Sequence, residues 1–430
     1  MKTLYEKQKE AFDFFSAKHK EGSNTLDTSH VGTGKTVVAC HLAKELDRPV
    51  AVLCPKAVVP SWERELAECG IKPLFVLNYE KIRTGRTDFM SKRGKKTVKW
   101  NLPEGTLMLV DEVHKSKGPY TQNAQLLISL VTQGYPIHAM SATAAEDPTE
   151  MRPIGFALGL HNLNKTEGDI KSWYSWMMQY GCLQNDWGAW ELSRRSKLSE
   201  LNKVMYAKNV KRLTVSDFPD SFKMNRVFVE PVAFTSAAKI AKAYAELNLT
   251  PEILEEYLLN GTVGGSDWVL VNLLRARQLA ESLKAKDMAD IAKEHIKQGH
   301  SVVLFVNFTE TAKVLCGLLN CPAIVGGQSA TARQQIIDDF QADEQHVIVV
   351  NIAAGGTGIS LHDINGNRQR ISLISPTFNV KDHLQALGRI HRNGAKSDAI
   401  QKILVADGSI EEHVMRVIEQ KTSNLNALHQ

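Results

Sequence analysis

The feature that most constrains this chain is the octapeptide SHVGTGKT at Ser29–Thr36, which leads directly into a helix-forming stretch, Thr36–Leu46. A glycine-rich turn ahead of a helix aims backbone N–H groups inward, and only glycine lets phosphate oxygens approach them that closely. Gly32, Thr33 and Gly34 supply such a cradle, Lys35 reaches toward the outer phosphates of a nucleotide, and the Thr36 hydroxyl is suited to Mg²⁺. The pattern is a Walker A loop except at its first position, where Ser29 stands in place of glycine or alanine.

About 75 residues on, LMLVDEVH (Leu107–His114) reads as an apolar strand ending in two carboxylates. Asp111 is suited to holding the metal through water and Glu112 to polarising an attacking water, so adjacent residues divide metal binding from general-base work. Order and spacing with the glycine loop are those of a P-loop nucleoside triphosphatase. Later, QALGRIHRNG (Gln385–Gly394) places Arg389 and Arg392 at i, i+3, which predicts one helix face carrying two guanidinium groups. Such a pair suits the charge that spreads over a transferring phosphoryl group.

The surrounding sequence alternates apolar runs with helical periodicity. Glu6–His19, Val50–Leu53 and Leu107–Val110 read as helix, strand and strand; Ser301–Val306, Ala323–Val325, His346–Val350 and Ile371–Ile374 repeat the strand pattern around the amphipathic Thr331–Phe340. The fold class expected is α/β, with parallel sheets flanked by helices, one in each half. Residues from about Leu160 to Ala292 read as mostly helical, broken by DFPD at Asp217–Asp220. The expected division is 1–220, with a helical protrusion from about 160, and 221–430, with a helical insertion to about 292.

Composition narrows the alternatives. With 43% hydrophobic and 23% charged residues in 430, the chain is of average globular make-up, which excludes wholesale disorder, collagen repeats and rods. No apolar run approaches the roughly 18 to 20 residues of a membrane span, and Glu6, Glu10 and Asp13 interrupt the start where a signal peptide needs apolar residues. A cytoplasmic protein with no membrane partner is the expectation. Six cysteines without a CxxC pair predict buried or incidental thiols. A net charge of +5 permits a nucleic-acid partner without requiring it, whereas KIRTGRTDFMSKRGKKTVK (Lys81–Lys99) sets eight basic residues against one acidic. On charge alone that run is a solvated loop or a phosphate-contacting insertion.

Along nearly its whole length the chain resembles superfamily 2 helicase-type motors and, among them, the Swi/Snf-type DNA translocases. Leu4 and Gln8 resemble the adenine-reading Q motif, with the tyrosine at Tyr5; LCPKAVVPSWERE (Leu53–Glu65) and NYEKI (Asn78–Ile82) are similar to motifs Ia and Ib. DEVHKSKGPYTQNAQ (Asp111–Gln125) resembles the family's extended motif II, departing at Val113 and Gly118. SATAAEDPTEM (Ser141–Met151) occupies motif III but begins SAT, as in general helicases. GGQSATARQQIIDDF (Gly326–Phe340), NIAAGGTGISLHD (Asn351–Asp363) and LVADGSIEEHVMRVIEQK (Leu404–Lys421) resemble motifs IV, V and the closing helix. The tryptophan-rich middle, with Trp173, Trp176, Trp187 and Trp190, is most similar to compact annealing-helicase and fork-remodelling members. Those tryptophans fit packing or base stacking, and the spacing favours packing.

The resemblance implies two RecA-like P-loop lobes with helical insertions and ATP with Mg²⁺ as cofactors. It assigns ATP to Gln8, Gly32, Thr33, Gly34, Lys35, Thr36, Asp111 and Glu112 on one lobe, and to Gly358, Gln385, Arg389 and Arg392 on the other. Thr36 and Asp111 would hold the metal. Lys56, Tyr79, Ser141, Thr143, Gly356 and Thr357 would contact nucleic acid or couple it to the nucleotide, and His391 would bond to the motif III loop. The implied partner is double-stranded or branched DNA, in an ATP-dependent translocase serving repair, recombination or replication, with other proteins supplying specificity. A strand-separating helicase acting on single-stranded DNA or RNA, and an ATP-dependent clamp subunit, are the alternatives.

Overall fold

A computed structural model describes residues 2–93, 97–185, 188, 190–193, 196–219, 221–246, 267–355 and 359–429. The chain divides into two compact units, Met1–Phe218 with Ser423–Gln430, and Pro219–Thr422. Each is built on a parallel sheet with helices, the α/β architecture of two RecA-like lobes.

In the first unit the strands are Thr25–Asp27 (β1), Val50–Cys54 (β2), Phe75–Asn78 (β3), Met90–Arg93 (β4), Thr97–Trp100 (β5), Leu107–Asp111 (β6), Ile137–Met140 (β7), Cys182–Gln184 (β8), Trp190–Leu192 (β9) and Val210–Lys211 (β10). The main sheet has the order β10-β1-β7-β6-β2-β3, every neighbouring pair parallel. The sequence VAVLC forms β2 because both of its faces are covered, which favours an unbroken apolar run over alternation. Val50, Val52 and Cys54 pack with Trp62 and Leu66 on one face, while Ala51 and Leu53 join Met108 and Val110 on the other. The C-terminal ends of β1, β6 and β7 lead into the glycine loop, the Asp-Glu pair and the SAT segment, so the fold gathers all three at one edge of the sheet.

Beneath β1 lies a buried polar cluster. The Thr25 hydroxyl is 2.9 Å from His19 Nε2 and 2.8 Å from His138 Nδ1, and His138 stacks edge-on against Phe15. Burial lowers the His19 imidazole to about 4 and holds His138 well below the usual range. Both rings are therefore neutral when folded and bind protons more readily when unfolded. Stability is full above the ordinary histidine value near 6.5 and falls with pH toward 4; His19 alone costs about 3 kcal/mol at the lower limit. Urea unfolding of the chain at pH 7.5 and 5.0 is expected to show this loss, and His19→Gln to reduce it. An unchanged pH dependence in that variant would remove the assignment.

In the second unit the strands are Asn225–Val232 (β11), Ser301–Val306 (β12), Ala323–Ile324 (β13), Val347–Asn351 (β14), Arg370–Ile374 (β15) and Ala399–Ala406 (β16). They form a parallel sheet in the order β11-β16-β15-β12-β14-β13. Val303 and Phe305 face one core, Val302, Leu304 and Val306 the other. Two ion pairs are buried within the unit. Lys284, on the helix Asp267–Lys297, lies 2.8 Å from Glu411, and Arg370 lies 2.6 Å from Asp343 with its guanidinium over Phe340.

The middle of the chain departs from the helical expectation. The hairpin β8–β9 and the eight-residue edge strand β11 both fall within it, the latter paired with β16 along its length. Val227, Phe228 and Val229 of β11 are exposed, so this strand lacks the buried run that marks its neighbours. Within the basic run lie the end of the helix Tyr79–Arg83 and the paired strands β4 and β5, with Lys81, Arg86, Lys92 and Lys99 exposed. All six cysteines are free; Cys40, Cys54, Cys69 and Cys182 are buried, and Cys316 and Cys321 half-buried. Among the described residues no helix is long and apolar enough to cross a membrane.

Candidate nucleotide site

The glycine loop between β1 and the helix Lys35–Leu46 depends on two left-handed residues, Gly32 (φ +85°) and Gly34 (φ +94°). A Cβ on Gly34 would also run into the Gln8 amide. That amide is buried and holds the loop from outside: its nitrogen donates to Thr33 O at 2.8 Å, while its oxygen accepts from Tyr5 N at 3.0 Å. Gln8 thus braces the loop whose adenine it was expected to read. Lys35 Nζ donates to the carbonyls of Ser29 (2.7 Å) and His30 (3.1 Å), folding its ammonium over the loop. The N-cap of the helix Lys35–Leu46 is Gly34, which has no side chain to cap the first turn, and that leaves room for phosphate at the helix start. Thr36 is half-buried in its first turn.

Across the strand ends, the Asp111 carboxylate accepts from Trp62 Nε1 (2.9 Å) through one oxygen and from Glu112 N (2.9 Å) through the other. Tyr79, wholly buried, donates its hydroxyl to Asp111 O at 2.7 Å. Burial and the neighbouring Glu112 raise Asp111 to about 6, against the opposing pull of the Trp62 bond and the Lys35 charge. Metal or further positive charge there would favour its ionised form. Glu112 sits at φ +52°, ψ +50°, which turns its side chain out of the strand direction. Its Oε2 lies 3.1 Å from His114 Nδ1, which is also 2.8 Å from Ser141 Oγ. Ser141 Oγ in turn accepts from Thr143 N at 3.2 Å. One short chain of contacts therefore joins the Asp-Glu pair to the SAT segment.

The glycine cradle, Lys35 and the Asp111 carboxylate at the neighbouring strand end fit a nucleoside triphosphate with its divalent ion. Thr36 and Asp111 are the residues chemically suited to the ion, Gly32–Lys35 to the phosphates. A bound ion would supply charge neutralisation for the phosphoryl oxygens. Lys56 is exposed in the turn Lys56–Val58 after β2, apart from these groups.

In the second unit, the helix Val380–Leu387 carries the buried Gln385 and ends at Gly388. Arg389 and Arg392 therefore follow the helix instead of sharing a face of it. They converge nevertheless. Arg389 donates to Ile359 O at 3.4 Å and Arg392 to the same oxygen at 2.9 Å, with a further bond to Gly388 O. Burial lowers the Arg392 guanidinium to about 10. His391 Nε2 lies 2.9 Å from Lys223 O and its ring packs on Phe222. Gly356, Thr357, Gly358 and Trp187 lie outside the described residues. Trp173 and Trp176 are buried, as the spacing predicts.

Comparison with known proteins addresses the family. The helicase conserved C-terminal domain model matches residues 284–394. "Putative ATP-dependent RNA helicase L364" of Acanthamoeba polyphaga mimivirus is 30% identical over 435 residues, covering 94% of this chain and 79% of that protein. The chain belongs to the superfamily 2 helicase-like proteins of the Swi/Snf type. Another similar protein, "DNA repair protein rhp54" of Schizosaccharomyces pombe, is 31% identical over 159 residues, covering 35% of this chain and 18% of that protein. The chain is also similar to the structure titled "Sulfolobus solfataricus SWI2/SNF2 ATPase core in complex with dsDNA", at 19% identity and a TM-score of 0.39 over 98% of this chain and 92% of that one.

As a Swi/Snf-type protein the chain is a helicase-like ATPase, and membership implies nucleotide use, typically with a divalent metal. Sequence reasoning read Trp62 only as part of a Swi/Snf motif and gave Tyr79 a general coupling role. Their bonds to Asp111 carried no sequence signal beyond the two motifs' presence.

Proposed function

We propose that the chain is an ATP-driven translocase that tracks along duplex or branched DNA, remodelling or reannealing it. The observation that supports this most is the pair of hydrogen bonds from Trp62 and Tyr79 to Asp111. Trp62 belongs to Leu53–Glu65 and Tyr79 to Asn78–Ile82, the segments similar to those along which Swi/Snf-type motors hold a DNA strand. A change in the charge around Asp111 alters the carboxylate that Trp62 holds, while Tyr79 holds the backbone of the same residue, so nucleotide turnover and grip on DNA share their parts. Lys56 and the exposed Lys81, Arg86, Lys92 and Lys99 suit phosphate contacts, which give register without sequence preference.

In this reading Lys35 and the loop N–H groups hold the phosphates, Glu112 orients and deprotonates water, and Asp111 with Thr36 bears the metal. His114 fixes Glu112 and passes its state to Ser141. Arg389 and Arg392 are assigned the outer phosphate, for which they exchange their bonds to Ile359 O. Gln385 and Gly358 belong to the nucleotide assignment, and Gly356 and Thr357 to contact with nucleic acid or its coupling to the nucleotide, with Gly356, Thr357 and Gly358 assigned on resemblance alone.

Steady-state ATP hydrolysis with no nucleic acid, single-stranded DNA, duplex, a model fork and RNA tests the proposal. Stimulation by duplex or fork is expected, weakening steeply with salt as phosphate contacts are screened. A second reading, a strand-separating helicase, is favoured by the SAT sequence at Ser141–Thr143 and by the RNA-helicase name of the mimivirus relative. Stimulation by single strands or RNA alone, with unwinding of a tailed duplex, would establish that reading and reject the first.

A further inference from the structure

The first unit contains a cavity of about 340 Å³ walled by aromatic rings, separate from the nucleotide loop. Tyr120, Trp173, Tyr174 and Trp190 line it, with Lys117 and Glu150 at its polar side. The rings of Trp173 and Tyr174 are tilted by 45° with centroids 5.0 Å apart, and Tyr174 and Trp190 by 39° at 5.8 Å. Tyr120 and Tyr174 touch through their hydroxyls at 2.6 Å, although both side chains are exposed. Exposed Tyr120, Tyr174 and half-buried Trp190 leave ring surface facing space that none of the described residues fills.

We propose that this cavity receives an unpaired nucleobase, stacked on the Tyr174 and Trp190 rings. The proposal deepens the DNA-motor reading and rests on it. Charge favours a base over a cation: Lys117 pairs with both Glu146 and Glu150, and the Arg152 guanidinium lies 4.9 Å from the Tyr120 ring centre and 5.8 Å from that of Trp173. An entering cation would meet the Lys117 ammonium and the Arg152 guanidinium, with both carboxylates already engaged by Lys117. A flat neutral ring meets none of those obstacles, and stacking accepts any base because each has a π face. Size agrees, since the volume lies at the small end of the range typical of small-molecule sites, about 300–1,000 Å³. A base within a duplex has both faces covered, so only one displaced from the stack can enter.

The position gives such a site a use. Lys117 follows Glu112 by one short turn, Val113–Ser116, and Glu146 and Glu150 lie just beyond Thr143. The cavity is thus walled by direct continuations of the two segments that His114 links, and an occupied cavity marks DNA that carries a displaced base, as at a branch or fork.

A single-stranded oligonucleotide carrying 5-iodouracil, irradiated with the full chain, is expected to cross-link to peptides containing Tyr120, Tyr174 or Trp190. Tyr174→Ala and Trp190→Ala are expected to weaken single-strand binding about tenfold by fluorescence anisotropy, with Tyr174→Phe retaining it and ADP affinity unchanged in all three. Melting curves confirm that each variant folds. Cross-links only at other peptides, with parental affinity in the alanine variants, overturn the cavity proposal; duplex-stimulated hydrolysis then still stands for the motor reading, and the cavity is left for a protein side chain. Failure of the chain to bind any nucleic acid overturns both.

Discussion

Glu112→Gln is expected to lower ATP turnover by about 10²- to 10⁴-fold while leaving nucleotide binding in place, the range ascribed to a positioned general base. The amide keeps the size of the carboxylate and can still meet His114, now 3.1 Å from Oε2, so only the ability to accept a proton from water is removed. Lys35→Ala is expected to abolish turnover together with tight binding, because its ammonium is the cation folded over the glycine loop. Phosphate release at steady state and titration with a fluorescent ADP separate the two effects. Parental turnover in either variant would refute the site assignment.

Lys284→Met is expected to destabilise the second unit by about 3–5 kcal/mol, the usual consequence of removing one partner of a buried ion pair. Lys284 and Glu411 are 1% and 4% exposed, so the carboxylate left behind has no route to water. Glu411 also accepts from Ala406 N at 2.9 Å, at the end of the edge-adjacent strand β16. The double variant Lys284→Met, Glu411→Gln keeps that acceptor without the charge and is expected to recover much of the loss. Lys284→Met, Glu411→Leu would recover less, since the Ala406 N–H would then be buried unpaired. Denaturant unfolding of the three proteins decides the matter, and a change below about 1 kcal/mol in the single variant would show that the pair is replaceable.

What the sequence disclosed and what it withheld divide along physical lines. Gly32 and Gly34 were legible because a positive φ, and at Gly34 a crowded approach as well, leaves glycine as the residue that fits. Strands β2, β6, β12 and β14 were legible because burial on both faces writes an unbroken apolar run. β11 escaped because its side chains are largely exposed, and its order comes from pairing with β16, a partner more than 160 residues away. The Trp62–Asp111 bond joins residues 49 apart, and no periodicity encodes a hydrogen bond between an indole and a carboxylate. For Arg389 and Arg392 the i, i+3 spacing suggested a helix face, yet the helix ends at Leu387 and both residues follow it. Their convergence on Ile359 O arises from the turn that follows.

The left-handed backbone of Glu112 has a consequence for how such a chain can drift. A glutamate at φ +52° costs roughly 1 kcal/mol relative to glycine, which adopts that region freely. Selection for a sturdier fold alone would favour replacing it, whereas selection for turnover holds it in place. Copies that lose the need to hydrolyse ATP should therefore lose this residue early and become harder to melt as they do so, leaving the glycine loop to decay later.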